Sequence, residues 1–489
     1  MIAPTDMTSS RRTRQAGAGI SLGLRRRQPR RVSAAPVMAR AQRRKTNPGR
    51  PQRREQGVAL VMVLTVIAMI SVFVADLSAN TSVAFQMAVG ERDRIKAEYI
   101  ARSGLNLTRL LIAKEPAIRQ IIAPIYSMVL GHGPPQINIW AFADSILAPF
   151  ANYNAAKAQG AGVGIDFSKM AGLKDTGGTF EITTISENSM INVNKPLFFV
   201  GDEARKSIAM PLFALMGGYQ TDSPYDAMFQ KADSDGQITS RLDIVSAAID
   251  WWDDDEQRTV FDPGGASVTS AGREDDIYSR FPDPYRVKNA AYDSLDELRL
   301  IRGFSDDFWA TFIQPDPEDP KSRRITIYGS GAVNPNEARA EVLWSRICSY
   351  VSTQPLCQDP GQRLAFVNLF DTARAMLPVA LFEKPDDFLN FVQGKGNARD
   401  LYPMVQGLLG PTSALLLWKP IVIPPDKLQA MRAAFVTSAR IFTIVATGRV
   451  GKASVRINTV LNFDENWTPP PLTTGKMTPL GMFHRYRID

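Results

Sequence analysis

The chain has 489 residues, 44% of them apolar, enough to bury a sizeable core and to hold more than one folding unit. Its formal net charge of +8 is unevenly spread: residues 1 to 57 hold fifteen Lys and Arg against Asp6 and Glu55, leaving 42 bases and 47 acids, a net of −5, for all that follows. The basic balance describes a tail, and a nucleic-acid function for the whole protein loses its main support.

Directly after that tail, Val58 to Ala75 is a run of eighteen residues without a charge. As a helix it is about 27 Å long at roughly 1.5 Å per residue, close to the thickness of a bilayer core. An ordinary secretory signal has a shorter apolar stretch, about 7 to 15 residues, before a small-residue cleavage site. Ala75-Asp76-Leu77-Ser78-Ala79 offers such a site, with Asn80 as the new terminus. The apolar pattern continues past it, because Ala84, Met87, Ala88, Ile95, Tyr99, Ile100, Leu105, Leu107, Leu110 and Leu111 keep a roughly helical spacing. One helix of about 55 residues is therefore expected over 58–112. The positive charge before it predicts a single membrane pass with a cytoplasmic N-terminus.

Residues 113 to 178 are rich in Gly, Pro and Ala and predict no particular element. From Thr179, Phe180-Glu181-Ile182-Thr183-Thr184-Ile185 alternates like a half-buried strand and ends in the turn-like Ser186-Glu187-Asn188. Ile191-Asn192-Val193-Asn194 follows. A second copy is read where Ile325-Thr326-Ile327-Tyr328-Gly329-Ser330-Gly331 leads into Val333-Asn334-Pro335-Asn336. Asn tolerates unusual backbone angles and caps helices, so each copy predicts a strand end and a helix start within a weak internal duplication. Helical signals fall at 211–215, 241–252, 294–302, 337–350, 364–377 and 425–436. Near the C-terminus, Arg440 to Thr447 and Ala453 to Phe463 read as a hairpin about Gly448 to Lys452.

These elements give an α+β fold: a long N-terminal helix, a small antiparallel sheet, and a large mostly helical insertion between its first strand and its last pair. The expected divisions are 1–57 (basic leader), 58–112 (membrane and amphipathic helix), 113–190 (first part of the α/β domain), 191–437 (helical insertion) and 438–489 (hairpin and tail).

A basic leader ending in Gly57, an apolar helix starting at once, and the continuation Glu98-Tyr99-Ile100-Ala101-Arg102-Ser103-Gly104 together resemble type IV pilins and type II secretion pseudopilins. The resemblance implies that a prepilin peptidase cuts after Gly57 and that Val58 becomes the methylated N-terminus. Glycine lacks a Cβ, so its backbone can lie extended in a protease cleft. Pilins usually carry a glutamate at the fifth mature position; here it is Met62. An acid buried in a filament needs a partner, since an unpaired ion in low dielectric costs several kcal/mol. Its absence is typical of the K-type minor pseudopilin, proposed to sit at the filament tip. Met62 simply filling lipid-facing space is the plainer reading.

The middle of the chain is similar to the general secretion pathway protein K family in Asp250-Trp251-Trp252-Asp253-Asp254-Asp255-Glu256, Gly272-Arg273-Glu274-Asp275-Asp276-Ile277-Tyr278, Pro284-Tyr285-Arg286, Asn289 and Leu295 to Gly303. It departs at Arg273, where the family usually has alanine, at Ile277, where an aromatic is usual, and in a longer loop from Arg258 to Ala271. The family implies an inner-membrane protein with a periplasmic C-terminal domain. Its partners would be the I- and J-type minor pseudopilins, the major pseudopilin, the prepilin peptidase and the inner-membrane assembly platform, with no nucleic acid.

Five acids lie within seven residues at 250–256. Like charges about 4 Å apart repel by roughly 1 kcal/mol in water and about 4 near a protein surface, so the run is either a solvated face or a cation site. Asp250, Asp253 and Asp255 end an apolar helical stretch, and Glu274 and Asp275 can fold back on them. All are hard oxygen donors, and the only histidines, His132 and His484, are remote. Calcium therefore fits better than zinc, in a structural role. The family is similar in binding calcium here. The EF-hand spacing is missing. Cys348 and Cys357, nine apart, are either a disulfide of an oxidising periplasm or two buried thiols.

No nucleophile motif, HExxH or phosphate loop is present, so no enzyme is expected. Asp306-Asp307 reads as a helix start after Gly303. The alternative from another class is a Sec-exported or membrane-anchored helix-hairpin-helix nucleic-acid-binding protein, suggested by Leu298 to Ser305. Family leaders are generally shorter than this one, and Met38 offers an internal start.

Overall fold

A computed structural model describes residues 56–130, 133–151, 177–196, 200–232, 236–264, 267–281, 283–316, 319–376, 380–395, 419–464 and 480–489. The leader up to Glu55, with Met38, lies outside them. Helix α1 runs Gln56–Leu130. It exceeds the expected 58–112, carrying Pro116 and Pro124 inside it. The extension is anchored by Glu115, which is buried and accepts the Ile137 N–H at 2.9 Å.

The chain forms two compact units divided after Ser78. In the first, every residue of Val58 to Ser78 is exposed, including the apolar Leu60, Met62, Ile67 and Phe73. α1 contains the one candidate membrane span among the described residues, Val58–Ile121, whose most apolar window has a mean hydropathy of 2.9.

The second unit contains a four-stranded antiparallel sheet made of β1 (Gly178–Ser186), β6 (Ile441–Val450), β7 (Ala453–Asn462) and β8 (Met482–Ile488), in the order β1-β6-β7-β8. β1 pairs with β6 from Gly178↔Val450 to Ser186↔Phe442, so strands some 250 residues apart are neighbours. The hairpin turns at Gly451 and Lys452, where Gly451 has φ 57°. Thus the sheet is split around the insertion as the sequence predicts. β8 is an addition: its Met-Phe-His-Arg-Tyr-Arg-Ile lacks a clean apolar alternation because this edge strand is exposed on both faces.

One sheet face is covered by Ala97, Ile100, Ala101 and Leu105 of α1 and by Trp140, Ala143 and Leu147, the last two from α2 (Ala143–Ala151). They meet Phe180, Ile182, Phe442, Ile444, Ala446 and Ile457. Small residues set the helix-to-sheet distance: a Cβ on Gly448 would lie 2.0 Å from the Ala97 carbonyl oxygen.

The insertion has its own core. It comprises β2 (Ile191–Asn192), α3 (Gly201–Leu215), α4 (Arg241–Asp250), the hairpin β3–β4 (Gln257–Asp262, Ser267–Arg273), β5 (Ile325–Thr326), α5 (Ala340–Val351), α6 (Pro360–Met376), α7 (Pro385–Val392) and α8 (Pro425–Ala433). The expected long loop at 258–271 is the β3–β4 hairpin, and the expected helix at 294–302 is a 3-10 turn, Leu295–Leu300. Buried Glu187 fastens insertion to sheet, accepting from Arg323, Thr326 and Thr443.

The two copies share a bonding pattern in their asparagines and not in their strands. Asn192 Oδ1 accepts the Asn194 N–H at 2.8 Å, and Asn334 Oδ1 accepts the Asn336 N–H at 3.0 Å. The second Asn of each pair then clamps a distant backbone: Asn194 exchanges bonds with Tyr292 N and O, and Asn336 with Phe382 N and O. Each clamped aromatic precedes a capped turn, with Ser294 N donating to Glu297 at 3.1 Å and Lys384 N to Asp387 at 2.8 Å. The strand halves do not correspond, since β1 belongs to the main sheet whereas β5 pairs in parallel with β2.

Candidate metal centre

α4 begins in a capping box, with Ser240 accepting from Asp243 N and Asp243 from Ser240 N, and carries Ile244, Val245, Ala247, Ala248 and Ile249 into the core. Its last residue is Asp250. The turn through Trp251 and Trp252 returns Asp253 beside it, and β4 delivers Glu274 to the same place just after Gly272, whose φ of 80° suits glycine. Asp250, Asp253 and Glu274 are 1%, 4% and 2% exposed, and one carboxylate oxygen from each lies within 4.8 Å of the others. Buried Tyr278 packs against the same turn, its ring centroid 6.1 Å from Trp251 and 5.0 Å from Tyr285.

Few donors serve these carboxylates. Asp250 accepts the Thr259 N–H at 2.8 Å. Asp253 Oδ2 takes the Arg205 guanidinium at 2.9 Å, while Asp253 Oδ1 and Glu274 Oε1 are buried without a hydrogen bond. Burial, followed by the charge of the other acids, holds the Glu274 carboxyl far above its usual range, at about 9. Burial also raises Asp253, to about 6 against the pull of Arg205, and Asp250, to about 7 against the Thr259 hydrogen bonds.

Two acids expected in the cluster are elsewhere. Asp255 faces Arg205 and accepts the Gln257 N–H at 2.8 Å, and Asp275 accepts the Val287 N–H at 3.1 Å. Consecutive residues of an irregular turn cannot all point one way, and main-chain donors captured these two. Asp254 pairs with Lys195 at 2.6 Å on the surface. The sequence gives no sign of Arg205, which lies 48 residues before Asp253 on α3, because only folding brings it there. Asn289 has φ 49°, and its Nδ2 donates to the Asp255 carbonyl at 2.8 Å, supporting the acid turn from behind.

The remaining candidates are placed as follows. Gly57 and Val58 lie in the first turn of α1, and Met62 is 63% exposed. Cys348 and Cys357 form a disulfide between α5 and the short helix Pro355–Gln358. Asp306 opens a helical turn capped by Ser305, which accepts from Phe308 N at 3.2 Å. In the helix-hairpin-helix-like turn, Gly303 (φ 91°) is packed against α4: a Cβ there would meet Ile244 Cγ1 at 2.4 Å. His132 lies outside the described residues.

No protein-family model matches the chain, and no curated protein sequence matches it. The solved structures include a similar chain in the GspK-GspI-GspJ complex of the type 2 secretion system of enterotoxigenic Escherichia coli. The similarity covers 64% of this chain and 80% of that one, at 12% identity and a TM-score of 0.36.

Proposed function

We propose that this protein is a minor pseudopilin, inserted in the inner membrane by α1, trimmed after Gly57 and methylated at Val58. It joins I- and J-type minor pseudopilins at the tip of a periplasmic filament and starts assembly onto the major pseudopilin. The observation that carries this reading is the division of labour along α1. Val58 to Ala75 is exposed and free of charge, as a membrane stem must be, while Ala97 to Leu105 is spent on the sheet. The Met62 position and the split sheet support it. The mass of the N-terminal peptide from native membranes tests it: N-methylated Val58 supports the pathway, whereas a chain beginning at Asn80 favours ordinary secretion. For the tip position, a crosslinking map with subunits on both faces of the insertion would contradict it.

Within that function, Asp250, Asp253 and Glu274 hold a structural calcium ion. Hard oxygens, two of them buried without partners, fit such an ion, and its charge offsets the repulsion that Arg205 only partly relieves. Its contribution is to fix the α4 end to β4, with no chemistry of its own. Calcium binding followed by calorimetry, lost in Asp253→Asn, is the expected result; equal binding by that variant would remove the assignment.

A further inference from the structure

The acid turn already has a cation of its own. Arg205 projects from α3, and its guanidinium bridges two carboxylates: Nε donates to Asp253 Oδ2 at 3.0 Å, and Nη2 reaches Asp253 Oδ2 at 2.9 Å and also Asp255 Oδ2. The Arg205 side chain is only 14% exposed and that of Asp253 5%, so solvent and salt screen the pairing weakly. A third carboxylate, Asp202, stands 3.6 Å from Nη1 but is mostly exposed and adds little. The helix beneath Arg205 is fixed, because Ala204 and Ile208 are buried in the insertion core. The side chain is therefore the part that can change partners.

We infer that Arg205 is an internal competitor for the metal: it holds the acid turn when no metal is bound, and it weakens calcium binding by sharing Asp253. The inference rests on the calcium reading above. Asp253 gives Oδ2 to the guanidinium, which leaves Oδ1 as its buried oxygen without a hydrogen bond. Calcium that takes both oxygens of this carboxylate must displace Arg205 from it. Calcium that takes Oδ1 alone shares the carboxylate with a positive charge, and the two repel. Either arrangement sets guanidinium and metal against each other. When ionised, Asp250, Asp253, Asp255 and Glu274 carry four negative charges, of which Arg205 cancels one, so its removal leaves the metal a stronger field. By linkage the effect is reciprocal, and bound metal loosens the hold of Arg205 on the turn by the same factor.

The test titrates calcium into the full chain in detergent, stripped of metal with a chelator, for wild type, R205Q and R205K, by calorimetry and by melting temperature. R205Q should bind calcium about tenfold more tightly, equivalent to about 1.4 kcal/mol. Its melting temperature should fall chiefly without calcium and recover most of the loss at saturation. A purely structural role for Arg205 would give equal losses in both conditions. R205K, whose ammonium cannot span Asp253 and Asp255 as the planar fork does, should bind at least twofold more tightly than wild type. Unchanged or weaker binding in R205Q, with calcium bound by wild type, overturns this inference alone. Absence of saturable binding to wild type overturns the calcium reading with it. Should R205Q fail to fold, R205K decides, and no gain in affinity there overturns the competitor role.

Discussion

The insertion contains two modules that share one backbone device and differ in what reinforces it. In residues 191–327, Asn194 clamps Tyr292, and the module is reinforced by carboxylates around the end of α4. In residues 333–436, Asn336 clamps Phe382, and the reinforcement is the disulfide between Cys348 and Cys357. A short parallel contact closes each module, Ile191 with Ile325 in one and Val333 with Phe435 in the other. One framework thus carries a cluster of buried carboxylates in one place and a covalent tie in the other. Under the proposed calcium reading the first should respond to cation supply and acidity, and the second to reductant.

The clamps are the sharpest way to break this comparison. Asn194 makes bonds to Tyr292 N and O, Ile327 O and Lys195 N, so Asn194→Ala strands buried main-chain groups at about 1–3 kcal/mol each. Expected is a loss of about 3–5 kcal/mol in urea unfolding, and slightly less for Asn336→Ala, which loses three such bonds to residues 381 and 382. An unchanged midpoint in either variant would show that the clamps are not equivalent. Next comes the covalent tie: Cys348→Ala with Cys357→Ala should lower stability by about 2–3 kcal/mol for so short a loop, with no change in calcium response.

The ionic tie should be smaller and conditional. At ten times its dissociation constant, calcium should add about 1.4 kcal/mol, read as a rise in melting temperature, and Asp253→Asn should erase it. Acidity sharpens this further. The raised carboxyls at about 6, 7 and 9 give the cation-free protein a contribution that is complete below the ordinary carboxylate range. That contribution is lost as pH climbs through those values. Calcium must displace those protons, so its stabilising effect should grow from pH 5 to pH 8; a flat or falling trend would argue against carboxylate ligation. The smallest effect is expected at Asp275, whose carboxylate serves Val287: Asp275→Asn should change the calcium-dependent shift by less than about 0.5 kcal/mol.

Periodic features were legible in the sequence, and features depending on distant encounters were not. The apolar stretch of α1, the alternation of β1, the hairpin β6–β7 and the Asn-x-Asn pairs all carry local signals. The clamp partners Tyr292 and Phe382 carry none, because nothing near them announces a bond to a residue 98 or 46 positions back. Among the acids, crowding was visible but orientation was not: Asp253 and Asp255 are two apart in an irregular turn with no period to sort them, Arg205 bonds both, and the Gln257 main chain sets Asp255 apart. The continuation of α1 to Leu130 carries no periodic signal, since residues 113 to 178 are rich in Gly, Pro and Ala, and the Glu115 tether, visible only in the fold, holds that end of the helix. β8 escaped because an exposed edge strand needs no buried stripe.

Gly448 has a mechanical consequence. Where the Ala97 carbonyl rests against the bare backbone of β6, no side chain cushions the two elements, so α1 can neither roll nor slide there without colliding with the strand. Twist or tension applied to Ala97 and its neighbours is delivered stiffly to β6 and, through Thr443 and Glu187, onward to the insertion. Any side chain at 448 would act as a shim, lifting the shaft off its bearing.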